Sequence, residues 1–482
     1  MIDIVFINPG NRKKIFQSLG IEVSAVEPPF CLAAMASYLR NKKYSVAIID
    51  SNAENFSPEQ TVSRVIELNP KMIAVIAHGS QPSASTQNMP DVYEIASAIK
   101  NSLPNIPLIV GGPHPSALPE RTLQESCFDY LLEGEGSYTL EQFISGLPEH
   151  EIKGLWWKDS SGKILHNERM DLAKNLNEIL PVAAWDLLPM EKYRAHNWHC
   201  FDDIEHRSPY AAIYTSFGCP YNCVFCCINA PFGKPSIRYR NPEVVLEELE
   251  LLVHRYGVKN LKIIDELFIF QESHYLKILE GIIERNLDLN IWAYARVDTI
   301  NESLLSTLKK AGVNWLALGI ESADAKVKSG NKKKLLACDV HDLVRKIQEH
   351  GIRVIGNYIF GLPEDNYDSM EKTLQLAKEL NCEFANFYSA MAYPGSRLYK
   401  MADENGWQLP ETWIGYSQHS FEALPLPTKH LSAGEVLKFR DMAFQNYFND
   451  ETYLSMIHQK FGALVVDHIK EISSKEVKRK FV

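Results

Sequence analysis

Four of the nine cysteines in this 482-residue chain fall between positions 219 and 227. They lie in the stretch SFGCPYNCVFCCINAPFG, residues 216–233. Cys219, Cys223 and Cys226 are spaced C-x-x-x-C-x-x-C, and Cys227 follows directly. A zinc site takes four nitrogen or sulfur ligands, commonly as two separated pairs. No second C-x-x-C stands elsewhere; Cys338 and Cys382 are isolated. Adjacent cysteines do not readily chelate one ion together, so Cys227 is a poor fourth ligand. A cubane iron–sulfur cluster takes one thiolate per iron. Three cysteines therefore leave one iron open for a substrate or cofactor, and Cys219, Cys223 and Cys226 are the expected metal ligands. His196, His199, Cys200 and His206 form a second cluster along the chain, but their spacing matches no zinc template strongly.

The elements that must hold these thiols follow in residues 210–400. Strand patterns VKNLKIIDELFIF, LNIWAYARVD (289–298), NWLALGIES (314–322), IRVIGNYIFGLPED (352–365) and CEFANFYSAMAYPGS (382–396) alternate with amphipathic helices. Repeated β/α units predict a parallel barrel, closed or partial, with chemistry at the carboxyl ends of its strands. The cysteine loop, Asp265, Glu266, Arg296, Glu321 and Asn357 all fall at that edge. Charges buried there are costly unless paired, which favours a functional role, with structural salt bridges the competing explanation for Arg296 and Glu321. Residues 401–482 have helical periodicity and predict a cap over the barrel mouth, with Ser432 and Glu435 as a capping box.

Residues 1–148 alternate five short apolar strands (2–8, 45–50, 72–79, 107–112 and 128–136) with helices. This predicts an α/β, doubly wound, flavodoxin-like domain whose ligand lies beyond the carboxyl ends of its strands. The loops there supply the candidate cofactor contacts His78, Gly79, Ser80, Gln81, Gly111, Gly112, His114, Glu133, Gly134 and Gly136. G-x-G-x-x-G is absent after the first strand, and the carboxylates of EGEG (133–136) make a poor cradle for pyrophosphate, so a large, less anionic cofactor is expected. Residues 149–209 read as an interdomain segment. It opens with a hairpin turning at Ser160–Gly162 and places Trp185, Leu187 and Leu188 at the interface.

A net charge of −10 argues against a nucleic-acid-binding surface. No apolar run approaches the roughly 18 residues of a membrane span. The start MIDIVFINPG reads as a first strand and not as a signal peptide. Scattered cysteines suit a reducing cytoplasm. The basic end KEVKRK reads as a solvated helix tail.

The three-cysteine spacing, with Phe225 before the last cysteine, resembles the signature of radical S-adenosylmethionine (SAM) enzymes, and the similarity covers residues 210–400. It implies a [4Fe-4S] cluster whose open iron chelates SAM, and reductive cleavage to a 5′-deoxyadenosyl radical. An external low-potential donor of flavodoxin or ferredoxin type would supply the electron. IIDE, with Asp265 and Glu266, resembles the stretch contacting the SAM amino group. ARVD and LGIES, with Arg296 and Glu321, resemble the ribose- and carboxylate-contacting strands, and FGLPED the later adenine-side strand. YPGSRLY resembles the stretch that closes the barrel. INPG, EPPFCLAAMASYLR, IVGGPHPSALPE and LLEGEGSYTL resemble the cobalamin-binding domain that precedes many such barrels. The chain departs from that family after the first strand, where NPGNRK replaces the D-x-H-x-x-G that supplies a lower axial histidine. His78 and Gln81 are the candidates for that face.

Together the two halves imply a cobalamin-dependent radical SAM methyltransferase. It would deliver methyl, via methylcobalamin, to an unactivated carbon or a phosphorus of a small-molecule natural product. Alternatives are a non-methylating rearrangement, cyclisation or ring contraction and, from another class, a redox-sensing iron–sulfur regulator. A tRNA methylthiotransferase fits poorly, because only Cys31 and Cys127 occur in the first domain.

Overall fold

The computed structural model describes residues 2–10, 15–17, 24–79, 81–330 and 339–482. Its first sheet is built from the apolar runs of the first third of the chain: β1 (Ile2–Asn8), β2 (Val46–Asp50), β3 (Pro70–Ile76), β4 (Leu108–Gly111) and β5 (Tyr130–Leu132). These pair in parallel in the order β2-β1-β3-β4-β5. Ile4, Val5, Phe6 and Ile7 are all fully buried, as expected of a sheet covered on both faces. The order reverses at β1 and β3, so their carboxyl ends open a crevice. The expected hairpin is present as β6 (Leu155–Lys158) and β7 (Ile164–His166), with Gly162 N donating to Asp159 O at 2.9 Å. It joins the first sheet, antiparallel beside β5, where the sequence placed it in the interdomain segment.

The second sheet uses β8 (Tyr210–Ile213), β11 (Asn260–Ile263), β12 (Asn290–Arg296), β13 (Val313–Glu321), β14 (Arg353–Phe360) and β15 (Phe384–Ser389). These six run parallel in chain order, while β9 (Ser216–Phe217) and β10 (Arg238–Tyr239) form a separate antiparallel pair. The barrel is therefore partial, with β8 and β15 as edges. An edge needs cover. Helix Ala433–Phe448 supplies it on β15, where Arg440 Nε donates to Phe387 O at 2.7 Å and Tyr447 OH to Cys382 O at 2.6 Å. The C-terminal region thus seals an edge and also reaches the carboxyl ends of the strands, where Val436 packs beside Gly361 and Leu426 N donates to Ala390 O at 2.9 Å. Its capping box is as expected: Glu435 N donates to Ser432 Oγ at 3.3 Å, and Ser432 N to Glu435 Oε2 at 2.8 Å.

One further expectation is corrected. The basic end is docked, because Arg479 is 3% exposed and lies 2.8 Å from Asp441 while donating to Gln418 O at 2.9 Å. The segment around His199 is an aromatic plug in the amino-terminal mouth of the barrel. There Trp198 packs edge-on against Trp292 (5.1 Å) and Trp315 (5.6 Å) and stacks on Phe384 (5.7 Å). His199 bonds Asn290 O at 3.0 Å and His206 is exposed against Asp203, so these residues do not converge.

Trp185 and Leu188 pack into the barrel core and Leu187 against the first sheet, so this segment does join the two bodies. A fully buried ion pair locks it there. Arg240 Nη1 lies 2.8 Å from Glu248 Oε2, both side chains being 0% exposed. Arg240 also donates to Tyr214 O at 2.8 Å and Leu180 O at 3.1 Å, while Glu248 Oε1 accepts from Ala183 N at 2.7 Å and Trp185 Nε1 at 2.9 Å. Removing one partner leaves a buried charge uncompensated, so Glu248→Ala is expected to lose about 3–5 kcal/mol of stability. Denaturant unfolding measures this; a loss below about 1 kcal/mol, the scale of an exposed pair, would show that water replaces the carboxylate.

Candidate active site

The cysteine loop is held at its root by a carboxylate. Asp265, just beyond the end of β11, is 0% exposed and accepts from Thr215 N at 2.5 Å, Thr215 Oγ1 at 2.5 Å and Ser216 Oγ at 2.6 Å. His274 Nε2 lies 3.2 Å from Thr215 Oγ1 and extends the network. Both carboxylate oxygens are thus spent on the turn from β8 to β9, so the structure gives Asp265 to the loop and not to the open face. Gly218 follows with φ +87°, and a Cβ there would lie 2.4 Å from Ser236 O, a backbone approach only glycine allows.

Beyond Gly218, Cys219, Cys223 and Cys226 are partly exposed, while Cys227 is buried. The three spaced cysteines are half-buried on the loop, and the fourth belongs to the core. Burial pushes the Cys219 thiol up to about 11 and Cys227 to about 12. Thiolate at this loop therefore requires bound metal to offset that cost. Phe225 packs against two small apolar clusters that include Leu362, Ala390 and Leu426, and Leu398 N donates to Val224 O at 2.8 Å, fixing the loop on the rim. Among the described residues, no three histidine, cysteine or acidic side chains gather as ligands of a single metal ion would. A cubane is different, since each thiolate meets its own iron. Cys338 lies outside the described residues.

Glu266 points the other way from Asp265. It lines the cavity described below and accepts from Gly218 N at 3.2 Å. Burial, with Asp265 adding repulsion, pushes its carboxyl up to about 8. Arg296 ends β12, binds Asp298 bidentately at 2.8 Å and 2.8 Å, and lies 3.9 Å over the ring of Tyr221 in the cysteine loop. Glu321 ends β13 at φ +67°, beside a register shift between Gly319 and Glu321. Asn357 in β14 donates to Leu318 O at 3.2 Å and accepts from Asn386 Nδ2 at 2.9 Å. Asn386 carried no sequence signal beyond sitting at an alternate position of its strand.

The carboxyl edges of the two sheets share one cleft. One part, with about 620 Å³ of atom-free space, is lined by Gly111, Gly112, Gly134 and Gly136 from the first sheet and by Tyr214, Phe217, Phe232 and Glu266 from the second body. The neighbouring part, about 920 Å³, is lined by Asn8, Gly10, Glu27, Gly79 and His196 among others. Cys31, Ile76, His78 and Tyr214 line both. Of the loop residues expected there, His78, Gly79 and the four glycines reach the cleft. Gln81 lines neither part; Pro82 takes its place. His114 is 2% exposed, bonds Thr86 Oγ1 at 3.1 Å and packs 4.5 Å from Trp413, which makes it a core histidine. Glu133 accepts from Trp156 Nε1 at 2.9 Å, and Glu135, which the sequence did not single out, borders the cleft with its carboxylate held by Arg238 at 2.6 Å and Ala173 N at 2.9 Å. Ser80 lies outside the described residues.

The match to known proteins follows the same division. A B12 binding domain model matches residues 17–144, and a Radical SAM superfamily model matches residues 213–377. An uncharacterized methyltransferase of Pyrococcus horikoshii is 31% identical over 433 residues, covering 88% of this chain and 89% of the relative. The chain belongs to the cobalamin-dependent radical SAM family. An anaerobic magnesium-protoporphyrin IX monomethyl ester cyclase of Rubrivivax gelatinosus is 23% identical, covering 94% of this chain and 78% of the relative. The radical SAM methyltransferase TsrM from Kitasatospora setae, solved with cobalamin and a [4Fe-4S] cluster, shares the fold. Its TM-score is 0.69 at 17% identity, covering 94% of this chain and 90% of that one.

The cofactors of this radical SAM enzyme are accordingly a [4Fe-4S] cluster, SAM and cobalamin. The residues present fit them. Three half-buried cysteines stand together on one loop, and glycines wall a cleft that side chains would otherwise fill.

Glu266 carries a testable pH signature. Its carboxyl ionises near 8 when folded and near 4.5 when free, so between those values the folded chain holds the extra proton. Stability of the cofactor-free chain is then highest below pH 4.5 as far as this group is concerned, and falls as pH rises towards 8. Glu266→Gln is expected to raise Tm by a margin that grows from pH 5 to pH 8; a margin independent of pH would show that Glu266 ionises normally.

Proposed function

We propose that this enzyme transfers a methyl group from SAM, by way of its corrin, to an unactivated carbon or a phosphorus of a small organic substrate. The supporting observation is that one cleft is walled both by the glycine loops of the first sheet and by Glu266, Phe217 and Phe232 around the cysteine loop. A radical generated at the second sheet and a methyl carried at the first would then meet the same substrate.

In this reading Cys219, Cys223 and Cys226 bind the cluster and Glu266 meets the SAM amino group. Arg296, Glu321 and Asn357 face the remainder of SAM, and Asp265 positions the loop through Thr215 and Ser216. The cluster supplies the electron that splits SAM into methionine and a 5′-deoxyadenosyl radical, and the corrin supplies the methyl group. The chain's own part is to orient and to keep water out. Tyr214, Phe217 and Phe232 form an apolar wall, with Tyr214 packed 4.9 Å from Phe217 and Phe217 5.6 Å from Phe232. On the first sheet, Gly79, Gly111, Gly112, Gly134 and Gly136 admit the corrin. An external low-potential flavodoxin or ferredoxin in the cytoplasm is the proposed electron source. No helix among the described residues is long and apolar enough to cross a membrane.

The cyclase relative favours a second reading, in which the same cofactors perform a cyclisation without net methylation. A redox-sensing role would leave the glycine-walled cleft without a purpose.

The test is anaerobic incubation of reconstituted chain with methyl-deuterated SAM, hydroxocobalamin and a low-potential reductant. Deuterated methyl on the corrin together with 5′-deoxyadenosine is the expected result. Deoxyadenosine with no methyl on the corrin would support the cyclase-like reading. Cys223→Ala is expected to abolish deoxyadenosine while leaving corrin binding intact.

A further inference from the structure

His78 is the first histidine in the chain, and it lies immediately beyond β3 where both parts of the cleft meet. Its Nδ1 is 3.1 Å from Gly79 O. A carbonyl only accepts, so Nδ1 carries the proton and Nε2 presents a lone pair. Gly79 turns its carbonyl back onto the ring from φ +77°, where a Cβ would lie 2.9 Å from Ala84 Cβ. Tyr214 braces the ring edge-on at 6.1 Å. The Nε2 atom lies 3.4 Å from Sγ of Cys31, in the first turn of helix Phe30–Asn41. Burial keeps His78 neutral and Cys31 a thiol. A thiol is a weak donor, so it engages the nitrogen without committing it.

The other histidine lining the cleft is differently placed. His196 Nδ1 accepts from Ala25 N at 3.3 Å, and the ring stacks on Trp198 at 5.3 Å.

We propose that His78 Nε2 is the protein ligand to the lower face of the corrin cobalt, and that the Cys31 thiol is a positioning partner competing for the same lone pair. This deepens the corrin-site reading above and rests on it. The bond formed is dative, from imidazole nitrogen to cobalt; the thiol keeps its proton. Such a ligand is weakened by design of its surroundings, because ligation must first displace the Cys31 hydrogen bond. It also arises from a different strand than the D-x-H-x-x-G loop would use, since the loop after β1 has no histidine.

The test is electron paramagnetic resonance of the full chain loaded with cobalamin and reduced to cobalt(II), after absorbance has measured corrin binding. The cobalt hyperfine lines are expected to split into triplets from one axial nitrogen, and into doublets when the protein carries 15N-histidine. His78→Gln is expected to lose the splitting yet still bind corrin, and His196→Gln to keep it. Cys31→Ala is expected to favour the nitrogen-bound form by about two- to tenfold, the equivalent of one modest hydrogen bond. Triplets unmoved by 15N-histidine, which assign the nitrogen to the corrin's own base, overturn the proposal. So does a bound corrin with no axial nitrogen. An unchanged Cys31→Ala spectrum overturns the competing role of the thiol. Absence of corrin binding in the unaltered chain overturns the corrin site itself, and absorbance reports that separately. The isotope result on the unaltered chain stands even if His78→Gln fails to fold.

Discussion

Glu27 leaves the first body of the chain and ends inside the second. Its carboxylate oxygens lie 2.9 and 3.0 Å from Lys262 Nζ, and the two side chains are 8% and 3% exposed. Lys262 sits in β11, its ammonium 4.8 Å over the Trp292 ring, and Tyr210 OH reaches Glu27 at 3.4 Å. Desolvating two charges is costly, and only close pairing with further hydrogen bonds offsets it. The return is registration. Glu27 is followed by two prolines and then by the helix that carries Cys31, while Lys262 is followed, just beyond the end of its strand, by Asp265 and Glu266. One ion pair thereby sets the loop beside His78 against the strand that holds the cysteine loop. Arg240 and Glu248 fasten the other side through the segment 180–185, so the two carboxyl edges face each other across a fixed cleft.

Much of this was legible in the residues. The strands of both sheets stand close to where alternation and apolar runs put them, because a parallel strand buried on both faces leaves a continuous apolar signature. The partial barrel follows from the same β/α alternation. What pattern does not report is which loop a strand edge will meet. The hairpin at 155–166 looked like linker because its pairing with β5 is a long-range contact. The tail around Arg479 looked solvated because its partner, Asp441, lies well back along the chain in helix Ala433–Phe448. Trp413, far along the chain, converts His114 from a loop histidine into a core one.

The neighbouring carboxylates at the end of β11 show the same limit at the scale of one residue. Asp265 and Glu266 are equally acidic in sequence, and the resemblance assigns both to SAM. The chain has left β11 here and Glu266 opens a turn, so the two side chains diverge. Asp265 therefore meets the donors of Thr215 and Ser216, and Glu266 the cleft. Glu133 and Glu135 are both claimed by the protein: Glu133 by Trp156 and Arg169, and Glu135, although it borders the cleft, by Arg238 at 2.6 Å and Ala173 N at 2.9 Å. In each pair the tertiary neighbours, and not the residue type, decide whether a carboxylate is available to a ligand: Glu266 is, and Glu133 and Glu135 are not.

Glu321 adds an argument that composition could not. A non-glycine residue in the left-handed region costs about 1–3 kcal/mol and persists only where its surroundings over-determine it. Here they do. Ile320 is 2% exposed and Ser322 is 0% exposed, with Ser322 Oγ 3.2 Å from Thr373 Oγ1 and accepting from Asp324 N at 3.2 Å. The two anchored neighbours leave Glu321 to absorb the register shift between β13 and β14, and such a shift re-aims a side chain. A glutamate serving only as half of a salt bridge could reach its partner from an ordinary strand. One that must hold a carboxylate at a set angle to a ligand gains from the constrained backbone, as the SAM-facing role proposed for Glu321 would.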